Sequence, residues 1–75
     1  MDIVRIGRSS DNDIVFNETE VSRYHCELYC SNGRVYIKDL GSTNGTQVNG
    51  RTISSPVSLK KGDRVMLGHK VPMDW

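Results

Sequence analysis

Apolar and polar residues alternate along this chain in short stretches with a period of two. Cys26, Leu28 and Cys30 fall on one face of a stretch whose other face carries His25, Glu27 and Tyr29. Val35 and Ile37 alternate with Tyr36 and Lys38 just downstream. Shorter β-branched stretches lie at Asp2–Ile6, Asp13–Phe16, Thr46–Val48, Arg51–Ile53, Val57–Leu59 and Arg64–Leu67, with a last one in Val71–Trp75. Turn clusters separate them: Ser9-Ser10-Asp11-Asn12, Ser54-Ser55-Pro56, Lys60-Lys61-Gly62-Asp63, and the hairpin signals Asn32-Gly33 and Asn49-Gly50. No segment holds a helical period across a helix-length window. Many short strands with turns between them predict an all-β fold, a sandwich of two antiparallel sheets.

The length of 75 residues allows one small domain, residues 1–75, with a modest core. At 36% hydrophobic and 25% charged residues, the composition is that of a globular domain rather than a disordered segment. Ten Lys and Arg against nine Asp and Glu, spread along the chain, give a formal charge of +1 and no basic block, which argues against a nucleic-acid binder. No apolar run approaches the roughly 18 residues of a membrane span, and Met1–Arg5 lacks the apolar core of a signal peptide. A cytoplasmic protein without membrane contact is expected. Cys26 and Cys30 sit four residues apart on one strand, about 13 Å between Cα atoms, too far for a disulfide. Their spacing fits no zinc site, so both are expected to be small core residues in a reducing compartment. No metal or cofactor motif is present.

One stretch departs from the strand pattern. Asp39-Leu40-Gly41-Ser42-Thr43-Asn44-Gly45-Thr46 joins two strands and holds two glycines, an asparagine and three hydroxyls. Such a loop is tightly turned and rich in donors. Ser42 and Thr46 are expected to brace it. Taken alone, it reads as a structural loop.

Set in order with Gly7-Arg8, Ser22-Arg23-Tyr24-His25 and Val48-Asn49-Gly50, the Thr43-Asn44-Gly45-Thr46 stretch resembles the forkhead-associated domain, a phosphothreonine-binding module. The resemblance runs from Ile6 to about Gly68 and takes in Arg8–Ile14 and Leu59–Asp63. It implies a sandwich with its binding site in loops at one end. By the same resemblance, Arg8 and Ser22 contact phosphate, Arg23 adds a further contact, Thr43 lies beside the phosphothreonine, and Asn44 bonds the peptide backbone. Gly7, His25, Gly45 and Asn49 support the site. Chemistry agrees: a phosphate dianion presents acceptors only, and Arg8 offers a planar fork of N–H groups. The implied partner is a protein or peptide modified by a Ser/Thr kinase.

Only six residues precede Gly7, fewer than the family usually has, so the resemblance reads the chain as a minimal form or a segment lacking the first strand. An edge left unpaired would allow a monomer or a weak dimer. Two other functions compete. Ser22, His25 and Asp39 have the residue types of a hydrolytic triad, but Ser22 and His25, three apart on an extended chain, point to opposite faces, and no nucleophile elbow or phosphate loop is present. A phosphate-independent interaction scaffold with the same fold is the stronger alternative.

Overall fold

A computed structural model describes residues 2–75. Among the described residues nine strands follow in order: β1 (Ile3–Gly7), β2 (Ile14–Val15), β3 (Cys26–Ser31), β4 (Arg34–Asp39), β5 (Thr46–Val48), β6 (Arg51–Thr52), β7 (Val57–Leu59), β8 (Val65–Leu67) and β9 (Val71–Met73). They form two sheets, ordered β2-β1-β3-β4-β7 and β6-β5-β8-β9. Every pair is antiparallel except β1 with the two-residue β2, which runs parallel, Ile6 opposite Ile14. The connection from Arg8 to Asp13 carries the chain back before β2 begins, so β2 starts in the same direction as β1.

The alternation decides which side chains enter the space between the sheets. Ile6, Cys26, Ile37 and Leu59 from the first sheet meet Val48, Val65, Leu67 and Met73 from the second, with Val21 from the β2–β3 loop. Opposite faces are wetter. Tyr29 and Tyr36 are register partners there and stack with ring centroids 5.5 Å apart. Both Asn-Gly pairs turn hairpins: Asn32 and Gly33 have φ of 53° and 75°, Asn49 and Gly50 of 53° and 82°. Two consecutive positive φ values match the right-handed twist of the flanking strands.

Cys26 is buried as expected, but Cys30 is exposed, which corrects the expectation that both lie in the core. The reason is positional. β1 begins opposite Tyr29, so Cys30 lies past the end of that pairing, one residue before Ser31 and the Asn32-Gly33 turn. Burial raises the Cys26 thiol pKa to about 12, helped by the Asp39 and Glu27 charges, although the Thr46 hydroxyl acts against it.

One end of the sandwich collects the β1–β2, β2–β3 and β4–β5 connections and the β8–β9 turn. Backbone hydrogen bonds stitch them together: Arg8 N to Ser22 O (3.0 Å), Leu40 N to His25 O (2.9 Å) and Gly68 N to Gly45 O (2.8 Å).

Candidate functional site

Gly7 ends β1, and the chain there runs against the Ser22–Arg23 segment. Any Cβ on Gly7 would lie 2.1 Å from the Arg23 carbonyl oxygen and 2.8 Å from Asn12 Nδ2, so only glycine allows the approach. Arg8 follows immediately and is exposed. Its Nε donates to the Val21 carbonyl at 2.8 Å, which orients the guanidinium and leaves its two terminal nitrogens free among the described residues. Arg23 is exposed too, and its side chain makes no hydrogen bond among the described residues.

His25 has no solvent exposure. Its Nδ1 accepts from Ser22 N–H at 3.0 Å, and its Nε2 lies 2.8 Å from the Gly45 carbonyl. A backbone N–H can only donate and a carbonyl can only accept, so the ring is held as the Nε2–H tautomer. One imidazole thus links the Ser22 loop to the Gly45 loop. Ser22 Oγ accepts from Thr43 N–H at 2.9 Å, joining the same two loops a second time, and its own hydroxyl hydrogen has no acceptor among the described residues. Asn44 Nδ2 donates to the Glu20 carbonyl at 3.0 Å, which leaves its Oδ1 as an open acceptor. Thr43 and Asn44 are both exposed.

Asp39 organises the loop that carries them. Gly41 N–H and Ser42 N–H donate to its Oδ2, at 2.9 and 3.0 Å. The Ser42 and Thr46 hydroxyls donate to its Oδ1, so both side chains brace the loop. Burial alone would raise the Asp39 pKa, but the hydrogen bonds from Ser42, Thr46 and Gly41 together hold it below the ordinary carboxylate range.

The structure therefore brings Arg8, Ser22, Arg23, Thr43 and Asn44 to one end of the sandwich, with Gly7, His25 and Gly45 beneath them. Asn49 lies apart, at the other end of β5. Its Nδ2 donates to Asp63 Oδ1 and its Oδ1 accepts from Arg64 N–H, both at 2.9 Å, so it braces the β7–β8 turn. Ser22, His25 and Asp39 form no catalytic relay. The Ser22 hydroxyl engages Thr43 rather than the imidazole, and Asp39 bonds only within its own loop. No group of His, Cys, Asp and Glu that could hold a metal occurs among the described residues.

The sequence reading missed the bracing roles of three residues. Asp39 carries a local signal, an aspartate three residues before a serine, typical of side-chain-capped turns. Asn12, whose amide joins the Ser9 and Arg23 carbonyls, and Glu20, whose carbonyl holds Asn44, act between segments far apart in the chain and leave no local signal.

Comparison with known proteins gives the arrangement its context. The FHA domain family model matches residues 4–68. The ABC transporter ATP-binding/permease protein Rv1747 of Mycobacterium tuberculosis is 46% identical over 66 residues, covering 88% of this chain and 8% of the transporter. The structure of Mycobacterium tuberculosis EmbR in complex with a low-affinity phosphopeptide superposes with a TM-score of 0.82 at 41% identity, over 85% of this chain and 17% of EmbR. The N-terminal FHA domain of Saccharomyces cerevisiae Rad53p, in complex with a phosphothreonine peptide, superposes with a TM-score of 0.83 at 28% identity, over 93% of this chain and 59% of that one. This chain thus spans a small part of the larger proteins it resembles. With the family pattern matched along most of its length and the same sandwich beneath it, the chain belongs to the FHA domain family.

Proposed function

We propose that the chain is a phosphopeptide-binding module that recognises phosphothreonine in partner proteins, in a signalling or assembly role. The observation that carries this reading is the convergence of an oriented guanidinium, a hydroxyl whose hydrogen is uncommitted among the described residues and an open amide on three different loops. A phosphate dianion needs donors and positive charge. Arg8 supplies both through its two free terminal nitrogens, and Ser22 adds its hydroxyl hydrogen while accepting from Thr43. Arg23 contributes a second positive charge from the same segment as Ser22.

Asn44 grips the peptide main chain with Oδ1 and its second Nδ2 hydrogen, the first being held by the Glu20 carbonyl. The Thr43 methyl lies beside the threonine methyl of the ligand. Gly7, His25 and Gly45 keep the loops in register, and the reading assigns no catalysis to any residue. Asn49, at the far end of β5, supports the sandwich rather than the ligand. The partner is a protein modified by a Ser/Thr kinase. A reducing, cytoplasmic setting suits a chain whose two cysteines are free.

The test is titration with one threonine peptide in phosphorylated and unphosphorylated form, against wild type and Arg8→Ala. Hydrogen bonds to charged groups contribute about 1.5–3 kcal/mol each. Losing roughly 2–3 kcal/mol with Arg8 lowers affinity for the phosphorylated form about 30- to 150-fold. Binding should also weaken as pH falls through about 6, where phosphate takes up its second proton. Equal affinity for the two peptides would replace this reading with a phosphate-independent scaffold.

A further inference from the structure

Asn12 is buried, 8% exposed, and has an unbalanced set of hydrogen bonds. Both hydrogens of Nδ2 are donated, one to the Ser9 carbonyl at 2.9 Å and one to the Arg23 carbonyl at 2.7 Å. Those carbonyls belong to the two segments that carry Arg8 and Ser22. The Asn12 backbone N–H donates to Ser9 O as well, at 3.1 Å. Its Oδ1, in contrast, has no partner among the described residues. The amide cannot be turned around to cure this, because both of its acceptor neighbours are carbonyls and need hydrogens.

A buried acceptor without a partner is a cost to folding. What the molecule gains is a fork of two hydrogens between two carbonyls. Among side chains of this size only asparagine offers that: aspartate has no hydrogen to give when ionised, serine has one, and an aliphatic residue has none. The space around the fork is full. A Cβ on Gly7 would lie 2.8 Å from Nδ2, and the same carbonyl of Arg23 also accepts from Ser9 N–H at 3.2 Å. A shift of the fork therefore passes directly into the separation between the Arg8–Ser9 and Ser22–Arg23 segments.

We propose that Asn12 is a positioning residue for anion recognition: its amide sets the spacing between the segments bearing Arg8 and Ser22, so that both reach one phosphate. The inference rests on the phosphothreonine reading above. Asn12 touches no ligand; it acts through the two residues that do. Because two groups must meet the same anion at hydrogen-bonding distance, a displacement of about 1 Å in one segment is enough to lose one of them.

The test uses two pools of peptides with random flanks, one with a central phosphothreonine and one with threonine. Wild type, Asn12→Ala, Asn12→Ser and Arg8→Ala are titrated, together with each Asn12 change combined with Arg8→Ala, at a temperature where circular dichroism shows them folded. Asn12→Ala should weaken binding of the phosphorylated pool about tenfold, and Asn12→Ser, which keeps one hydrogen, by less. In the Arg8→Ala background the same substitutions should cost at most about twofold, because the contact that Asn12 positions is gone. A purely structural role would give the same loss in both backgrounds. That result, or wild-type affinity in Asn12→Ala, would overturn the proposal, as would failure of both single Asn12 variants to fold. If wild type itself binds the two pools alike, the phosphothreonine reading fails first, and that is visible before any variant is compared.

Discussion

Replacing Gly7 by alanine isolates the close approach on which the site is built. Gly7 is not among the residues with positive φ, so its backbone accepts a side chain. At such a position alanine ordinarily stabilises by about 0.4–1 kcal/mol, by restricting the unfolded chain. Here the new Cβ meets the Arg23 carbonyl oxygen at 2.1 Å, about 1.2 Å inside an ordinary C···O contact of about 3.3 Å. The nearest obstacle is backbone, and that carbonyl also accepts from Ser9 N–H and from Asn12 Nδ2, which itself lies 2.8 Å from the new Cβ. Moving it sacrifices two hydrogen bonds at about 1 kcal/mol each, on top of overpacking strain of about 1–3 kcal/mol. Setting the alanine gain against these losses leaves a net destabilisation of roughly 2–4.6 kcal/mol. For a domain of this size each kcal/mol shifts the melting temperature by about 4–8 °C. Thermal melts by circular dichroism, with phosphopeptide titration below both melting points, measure the two consequences. A Gly7→Ala protein that melted within a degree or two of wild type and bound as well would refute the argument.

Ser22→Ala and His25→Ala should separate contact from framework: the first melts near wild type and binds poorly. The second leaves Ser22 N–H and Gly45 C=O without their partner and melts early, by about 1–3 kcal/mol in stability. If Ser22→Ala melted early and His25→Ala melted normally, those roles would be exchanged. Iodoacetamide should label Cys30 alone in the folded protein and both cysteines in denaturant, as read by mass spectrometry, because Cys26 is buried with its thiol pKa raised to about 12; labelling of Cys26 under native conditions would contradict its burial. Asp39 has its pKa lowered on folding, so its contribution to stability is present above the unfolded-state value and lost as pH falls through the lower folded one. Asp39→Asn should accordingly be less stable near neutral pH and show a shallower loss of stability below about pH 4, measured by denaturant titration across pH; parallel profiles would remove Asp39 from the acid response.

What could be read from the sequence follows the range of each interaction. The Asn32-Gly33 and Asn49-Gly50 hairpins were legible because a two-residue turn needs two particular φ values and those residues tolerate them. The inward face of β3 and β4 was legible from alternation, until Cys30, where the neighbouring strand runs out and the period no longer says what covers a side chain. The grouping of Arg8, Ser22 and Asn44 was readable only as a family pattern, since three loops converge through contacts that no local spacing encodes. The parallel direction of β2 and the Asn12 fork depend on where the chain returns after Arg8, which is a property of the whole fold.

The Gly45 carbonyl sits between the imidazole of His25, just ahead of the first sheet's β3, and the backbone N–H of Gly68, at the end of the second sheet's β8; both approach to 2.8 Å. A carbonyl oxygen has two lone pairs, and here each is taken from a different sheet. The Gly45–Thr46 peptide unit, one residue beyond Asn44, cannot rotate without abandoning one layer of the sandwich. Little conformational freedom then remains for a ligand to remove, and the entropy of ordering that weakens many loop-borne sites is largely settled during folding. Association should follow the kinetics of one encounter step, with residence time governed by the contacts themselves and not by a loop opening and closing over them.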